Sequence, residues 1–102
     1  MVKVLLERTI KGKHVSTIVR LLRQIRVLAM QQPGYISGET LHAVHDPNHY
    51  LVISTWENLR DWKGWEKDPQ RQDIVNNIEA LLSSPSRVSV FATTPRSIAE
   101  GV

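Results

Sequence analysis

Three histidines, His42, His45 and His49, lie close together in the sequence and are the first candidates for chemistry. Imidazoles bind metal ions and carry protons near neutral pH. On a strand His42 and His45 point to opposite faces, and His45 and His49 flank a predicted turn, so the three rings are not expected to converge at the ~2.1 Å that a shared metal ion requires. We therefore predict no metal site. His42, inside its predicted strand, is a candidate catalytic acid or base, with an exposed or structurally hydrogen-bonded histidine as the alternative.

All three tryptophans, Trp56, Trp62 and Trp65, fall within one short stretch. Such a concentration of aromatic surface favours core packing, particularly for Trp56 and Trp62, and it also suits the wall of a cavity for a flat ligand. Trp65, which follows a glycine on a short predicted helix, fits either place and is the second candidate catalytic residue. Trp62 is a candidate substrate-binding residue.

Charged and polar groups on the predicted strands are the next candidates. Glu7 and Arg8 on the first strand are the charges expected nearest to such a cavity, with an edge charge or an ion pair as the alternative. Glu7 and Tyr50 join Trp62 as candidate substrate-binding residues.

Composition excludes several kinds of function. The chain has 102 residues, a formal net charge of +3 and no cysteine, so it has no disulfide, no thiolate metal ligand and no thiol nucleophile. It carries no glycine-rich phosphate loop and no hydrolase or zinc-protease motif. Basic residues at helical spacing, Arg20, Arg23 and Arg26, indicate a solvated helix face, because no aromatic residues alternate with them to stack bases. We expect neither a nucleic-acid nor a membrane partner, and a cytoplasmic location.

Hydrophobic periodicity predicts the elements that must position these residues. Strands are expected at 2–10, 35–44, 49–56 and 87–92, and a helix at 13–31. A turn at 46–48 would join the middle strands, Asn58 would begin one short helix, and Asp68 with Pro69 would begin another. This order predicts an α+β, ferredoxin-like βαββαβ fold with an antiparallel sheet, whose second helical segment is split in two. We expect one domain at 1–93 and a tail at 94–102.

The predicted strands are apolar on both sides. On the third strand Leu51 and Ile53 alternate with Tyr50 and Val52, and on the second strand Ile36 faces away from Leu41. Helices can cover one sheet face, and an exposed apolar face of this extent is typical of an interface. The pattern therefore predicts a homodimer in which two sheets pack face to face.

Three segments carry a resemblance to a known family: 33–40, which opens with Pro33 and Gly34; 50–58, which ends with Trp56, Glu57 and Asn58; and 61–65, with Trp62 and Trp65. They resemble the antibiotic biosynthesis monooxygenase family, over nearly the whole chain to Phe91. The resemblance implies a dimeric α+β barrel with a pocket between sheet and helices. It further implies a cofactor-independent monooxygenase, in which a small phenol or quinol supplies its own electrons to oxygen.

Other activities occur in the same family. Its haem-degrading branch has a tryptophan that Trp65 matches, a histidine ligand where this chain has Val75, and an asparagine where it has Leu5 or Glu7. Haem is therefore disfavoured as a cofactor, with His42 as the conceivable substitute ligand, and no cofactor is expected. The alternatives to an oxygenase are a non-catalytic dimeric module that binds a small ligand, and a haem-binding protein.

Overall fold

The computed structural model describes residues 1–94, which form a four-stranded antiparallel sheet and three helices. The elements in chain order are β1 Val2–Thr9, α1 Val15–Ala29, β2 Tyr35–Ala43, β3 Asp46–Trp56, α2 Leu59–Glu66, α3 Pro69–Glu79 and β4 Arg87–Ala92. The strand order is β2-β3-β1-β4. The predicted ferredoxin-like α+β fold is thereby confirmed. The predicted tail lies, apart from Thr94, outside the described residues.

Side-chain caps fix the beginnings of the two short helices. The Asn58 side chain accepts a hydrogen bond from the Asp61 amide at 2.9 Å, and the Asp68 side chain accepts one from the Gln70 amide at 2.8 Å. Pro69 stands in the first turn of α3, where its missing N–H costs nothing. The predicted caps are confirmed, and they set the direction in which α2 and α3 present their side chains.

A tight turn at Pro33 and Gly34 joins α1 to β2. Gly34 has φ of +81°, and a Cβ there would overlap the Asp61 carboxylate. The Gly34 carbonyl also accepts a hydrogen bond from the Glu57 amide at 2.8 Å. Only glycine combines this backbone conformation with this close approach, so the turn holds the start of β2 against the end of β3.

The core lies between the sheet and the helices in two clusters. One contains Val2, Val4, Leu6 and the three tryptophans, and the other contains Ile10, Ile18, Leu21, Ile78 and Leu82. The side of β1 that faces the helices contributes to the first cluster, and Ile10, which follows the strand, belongs to the second. Between Leu6 and Ile10 the same side carries Arg8, which is only 4% exposed. A buried arginine therefore stands where the apolar stripe is interrupted.

The hairpin of β2 and β3 differs from its prediction in two places. Tyr35 pairs with Trp56 and Ser37 with Thr55, so Ile36 is an extra residue that forms a β-bulge. The bulge reverses the expected alternation, and Leu41 faces away from the helices while Tyr35 faces them. The turn also lies earlier in the chain than the predicted 46–48, because Ala43 pairs with Asp46 across a two-residue turn.

The sheet face opposite the helices carries an apolar patch, which we call the outer face. Its members are Leu5, Leu41, Leu51, Ile53 and Phe91, as the strand registers show. Leu41 and Phe91 are 44% and 56% exposed. A sheet with apolar residues on both sides is thus present, as the sequence predicted. None of the helices within residues 1–94 is long and apolar enough to cross a lipid bilayer.

Candidate ligand-binding cleft

A cleft opens between the inner sheet face, α1, and the α2–α3 pair. Its cavity volume is about 60 Å³, and the space within its outline is about 560 Å³ when the open solvent at its mouth is included. Its lining combines aliphatic, aromatic and basic side chains from every element except β4. The lining residues are Leu6, Arg8, Leu22, Ile25, Arg26, Ala29, Tyr35, Gly38, Glu39, Thr40, Val52, Ser54, Trp56, Trp62, Trp65 and Arg71.

One wall of the cleft is aromatic. Trp56, Trp62 and Trp65 are at most 4% exposed. The Trp56 and Trp62 ring centroids are 5.9 Å apart, and Tyr35 meets Trp56 edge-on at 5.4 Å. Such interlocked rings are held rigidly by core packing. Each of the three tryptophans therefore packs in the core and also lines the cleft, so the two predicted alternatives do not exclude each other.

Two buried arginines lie in the cleft. Arg8 comes from β1 and Arg71 from α3, and they are 4% and 5% exposed. The Arg71 guanidinium carbon lies 5.2 Å from the centroid of the Trp62 ring, and one of its terminal nitrogens donates a hydrogen bond to the Glu66 carbonyl at 3.2 Å. Arg71 is therefore fixed by stacking and by a backbone contact.

The electrostatics of the cleft are unfavourable to these charges. Burial, and then the positive charge of Arg71, lower the pKa of Arg8 to about 10, although Glu79 acts in the opposite sense. Burial also lowers the pKa of Arg71, against the attraction of Glu66. Both groups stay protonated at neutral pH, so the cleft holds two positive charges removed from water.

Two buried N–H groups at this site have no acceptor among the described residues. Within residues 1–94 no carboxylate lies within 4.0 Å of either guanidinium. The Arg8 Nε and the Trp62 Nε1 are buried and have no hydrogen-bond partner among the described residues. Buried donors are normally paired, and leaving one unpaired costs on the order of 1–3 kcal/mol. Two residues that line the cleft therefore carry unused hydrogen-bond donors.

Polar residues surround the mouth of the cleft. A terminal nitrogen of Arg26, on α1, donates a hydrogen bond to the Gly38 carbonyl at 3.1 Å and so joins the helix to β2. The Ser54 hydroxyl already has a partner within the protein, because its Oγ accepts a hydrogen bond from the Trp56 ring N–H at 3.0 Å. Of the described residues that line the cleft, Glu39 alone carries a carboxylate. Three arginines against one glutamate make the cleft electropositive.

A shallower groove continues from the cleft along α1. It shares Leu22, Arg26 and Thr40 with the cleft and ends at Tyr50. His42 pairs with Tyr50 in the sheet, and their ring centroids are 6.4 Å apart. Tyr50 therefore lies at the far end of the groove, and His42 is exposed beside it, outside the lining of the cleft. The role of His42 as an acid or base stays a prediction.

The other candidates from β1 and the histidine segment lie elsewhere. Glu7 is on the outer face, where a carboxylate oxygen lies 3.2 Å from the His49 Nε2. The expectation that Glu7 lies beside this cavity is wrong, because alternate residues of a strand point to opposite faces. The same expectation for its neighbour Arg8 is confirmed, since Arg8 lines the cleft. His45 is exposed in the turn, and no cluster of three metal-binding side chains occurs within the described part of the chain.

The donor set of the cleft does not fit haem. Among the described residues, its lining contains no imidazole, thiolate or thioether. Tyr35 provides the one phenol, and its hydroxyl lies over Gly38, where a Cβ would collide with it. An axial iron ligand of the usual kinds, other than a phenolate, is thus missing from this surface.

Arg71 was not among the predicted site residues, and Arg8 was expected near the cavity but not buried, although both residues left a signal in the sequence. Arg8 occupies the alternating apolar position of β1 between Leu6 and Ile10. Arg71 precedes Ile74 and Ile78 by three and seven residues, the spacing of one helix face. A charged residue in an apolar register indicates a buried charge, and two such residues on neighbouring elements indicate a site.

Comparisons with known proteins agree with this architecture. A search of the curated proteins finds no match. Among solved structures, a crystal structure of an antibiotic biosynthesis monooxygenase is 20% identical, with 93% of this chain and 100% of that chain covered and a TM-score of 0.85. A conserved protein from Methanosarcina mazei is 11% identical, with 91% and 92% covered and a TM-score of 0.86.

A third solved structure is SnoaB, a cofactor-independent oxygenase from Streptomyces nogalater. It is 17% identical, with 92% of this chain and 93% of that chain covered and a TM-score of 0.82. At such identities the likeness establishes a shared fold. The model of one family, antibiotic biosynthesis monooxygenase, matches residues 1–77 of this chain. The chain thus belongs to the antibiotic biosynthesis monooxygenase family.

Proposed function

We propose that this chain is a cofactor-independent monooxygenase that oxidises a small aromatic or quinol-like compound in the cleft. The observation that carries the proposal is the aromatic, water-poor lining of the cleft, to which Trp56, Trp62 and Trp65 all contribute. Family membership and the description of SnoaB as a cofactor-independent oxygenase support the same reaction class.

The proposed reaction needs no electron donor other than its substrate. An ionised phenol transfers electrons to O2 and forms a carbon–oxygen bond at a ring C–H position. The resulting hydroperoxide loses water, so one oxygen atom stays as the quinone oxygen, and the other leaves as water with the two hydrogens that the phenol has lost. The protein positions the ring and keeps bulk water away, which are contributions that a rigid aromatic cleft can make.

Trp62 and Trp65 are the proposed contacts to the ring. We infer a role for Tyr50 only with compounds long enough to extend from the cleft along the groove. His42 lies outside the lining, so a ring confined to the cleft would not reach it. Oxygen uptake that is retained in His42→Ala would contradict the predicted acid–base role of His42.

Oxygen consumption tests the proposal directly. Purified protein is incubated with a panel of phenols and hydroquinones, with ¹⁸O2 supplied and uncatalysed autoxidation subtracted. We expect one O2 consumed per substrate, one labelled oxygen in the product, and about tenfold or more loss of rate in Trp65→Ala with a smaller loss in Trp65→Phe. Absence of uptake above autoxidation for every compound would contradict the enzyme proposal and favour a ligand-binding module.

We also propose that the protein works as a homodimer, a dimeric α+β barrel closed by two outer faces. The apolar patch of Leu5, Leu41, Leu51, Ile53 and Phe91 lies on the sheet face that has no helix among the described residues. A flat, self-complementary apolar surface is buried most simply against a second copy of itself. A cytoplasmic location, expected from the cysteine-free composition, stays a prediction.

A further inference from the structure

The cleft contains an arrangement that a folded protein alone does not favour. Arg8 and Arg71 are 4% and 5% exposed, and the positive charge of Arg71 acts unfavourably on Arg8, against the attraction of the more distant Glu79. Buried charges in proteins are ordinarily paired with an opposite charge, because an uncompensated one costs several kcal/mol. In residues 1–94 neither guanidinium has a carboxylate within 4.0 Å. Stability therefore does not explain why both arginines face the same cleft.

The unused hydrogen-bond donors indicate what is missing. The Arg8 Nε and the Trp62 Nε1 have no acceptor in the described chain, and both residues line the cleft. Arg71 stacks on the same Trp62 ring at 5.2 Å. Cationic and neutral N–H donors thus border one aromatic surface, and an oxyanion is the acceptor that satisfies both kinds.

We propose that Arg8 and Arg71, with the Trp62 N–H, form an oxyanion subsite, and that the ligand of the cleft is an aromatic compound that carries an anionic oxygen. The ring lies against the tryptophan wall, and the oxygen accepts hydrogen bonds from the guanidiniums. The oxygen belongs either to a carboxylate substituent or to the ionised hydroxyl of a phenol. This inference rests on the proposed function in so far as that ligand is the substrate.

The subsite has a consequence for the proposed reaction. Positive charges that bind a phenolate favour the ionised form over the neutral phenol and so lower the pKa of the bound phenol. The ionised phenol is the form that gives electrons to O2. Arg8 and Arg71 would therefore hold the substrate in its reactive state without an acid–base residue, in keeping with the absence of histidine from the described lining.

Binding of redox-inert probes tests the subsite without oxygen chemistry. The carboxylate arm compares 1-naphthoate with the neutral 1-naphthamide by calorimetry or tryptophan quenching. The phenolate arm follows the ionisation of 4-nitrophenol by absorbance in the presence of protein. If the site binds a carboxylate, we expect about tenfold or more preference for naphthoate over naphthamide. If it binds a phenolate, we expect 4-nitrophenol to ionise at lower pH in the presence of the protein.

Matched variants assign the effect to the buried arginines. In Arg8→Met and Arg71→Met the preference for the anion should disappear while naphthamide affinity changes by less than about threefold. Arg20→Met, an exposed position on α1 that lines neither the cleft nor the groove, should behave as wild type. Circular dichroism verifies that each variant is folded, and glutamine replaces methionine at the position of any variant that is not.

Three outcomes would overturn the subsite: equal binding of both naphthalene compounds with no change in nitrophenol ionisation, an anion preference that survives both substitutions, or no binding of any probe. The oxygenase proposal can fail separately. An anion preference without oxygen uptake keeps the subsite and removes the enzyme, whereas oxygen uptake from neutral substrates without anion preference does the reverse.

Discussion

The guanidinium of Arg71 lies over the Trp62 ring, 5.2 Å from its centroid. One face of this tryptophan is therefore occupied by a cation that the protein itself supplies. The same guanidinium keeps only a carbonyl oxygen, that of Glu66 at 3.2 Å, as its hydrogen-bond acceptor in the described chain. Its remaining N–H groups have no acceptor in the described chain, and the contact with the ring restricts where the guanidinium can lie.

Arg71→Lys should weaken anion binding although it keeps the charge. A lysine ammonium cannot stack as a planar group or present two parallel N–H donors. We expect the affinity for 1-naphthoate to fall about tenfold, that for naphthamide to change little, and circular dichroism to match wild type. Lysine that restores wild-type affinity would show that charge alone, without geometry, recognises the ligand.

Arg8→Met should stabilise the ligand-free protein. Methionine fills similar space and removes a buried charge without a carboxylate partner, so we expect a free energy of unfolding about 1–3 kcal/mol higher in chemical denaturation. A loss of more than about 1 kcal/mol would instead assign Arg8 a structural role.

The pH dependence of that gain follows from the pKa of Arg8, which burial lowers from its ordinary value to about 10 in the folded protein. Below pH 10 the arginine is charged in both states and the full penalty acts on the folded wild type. Above pH 10 and up to the ordinary pKa of arginine, the unfolded chain binds more protons, so wild-type stability rises with pH. The difference in the free energy of unfolding between Arg8→Met and wild type should accordingly be the same at pH 7 and at pH 9.

Phe91→Glu should disrupt the proposed dimer. Phe91 is 56% exposed on the outer face, so a carboxylate there is tolerated by a single chain but would be buried between two. We expect a dissociation constant about a hundredfold or more higher, measured by sedimentation or light scattering. Leu59→Glu is the control, since Leu59 is 47% exposed on α2, away from the outer face. A monomeric wild-type protein at micromolar concentration would contradict the dimer.

Glu7→Gln should leave ligand binding unchanged. Glu7 and His49 form a half-exposed pair on the sheet face opposite the cleft, and such pairs contribute about 0–1 kcal/mol. We expect naphthoate affinity within about twofold of wild type. A larger loss would show that a ligand reaches the outer face.

Gly38→Ala should narrow the cleft. A Cβ at Gly38 would collide with the Tyr35 hydroxyl, whose ring packs edge-on against Trp56. Displacement of Tyr35 should weaken naphthamide and naphthoate binding alike, by several-fold, with the free energy of unfolding within about 1 kcal/mol of wild type. A selective loss of naphthoate would indicate that the Tyr35 hydroxyl belongs to the oxyanion subsite.

Local signals were sufficient to predict most of the fold. Asn58 and Asp68 are capping residues with short-range partners, and the periodicity of β1 and α1 is strong, so these elements could be placed from the chain alone. The facing of β2 could not, because the bulge at Ile36 depends on pairing with Thr55 and Trp56, which are distant in sequence.

The candidate site was predictable only in part, for the same reason. The three tryptophans indicate an aromatic surface because they lie close together in the sequence. The proximity of Arg8 and Arg71 depends on how α3 packs against α1 and α2, which no spacing within one segment records. His42 was chosen for its chemistry, and the structure places it beside Tyr50 at the end of the groove.

The bulge at Ile36 also bears on how the chain length of such a domain can vary. Because one residue there is in excess, deleting it would leave Gly38 and Thr40 directed toward the helices and Leu41 directed outward. A deletion farther along β2, for example at Glu39, would exchange the two surfaces on one side of the gap. Natural length differences among related sequences should therefore gather at this position, where a residue can be gained or lost while the ligand cavity and the opposite surface keep their identities.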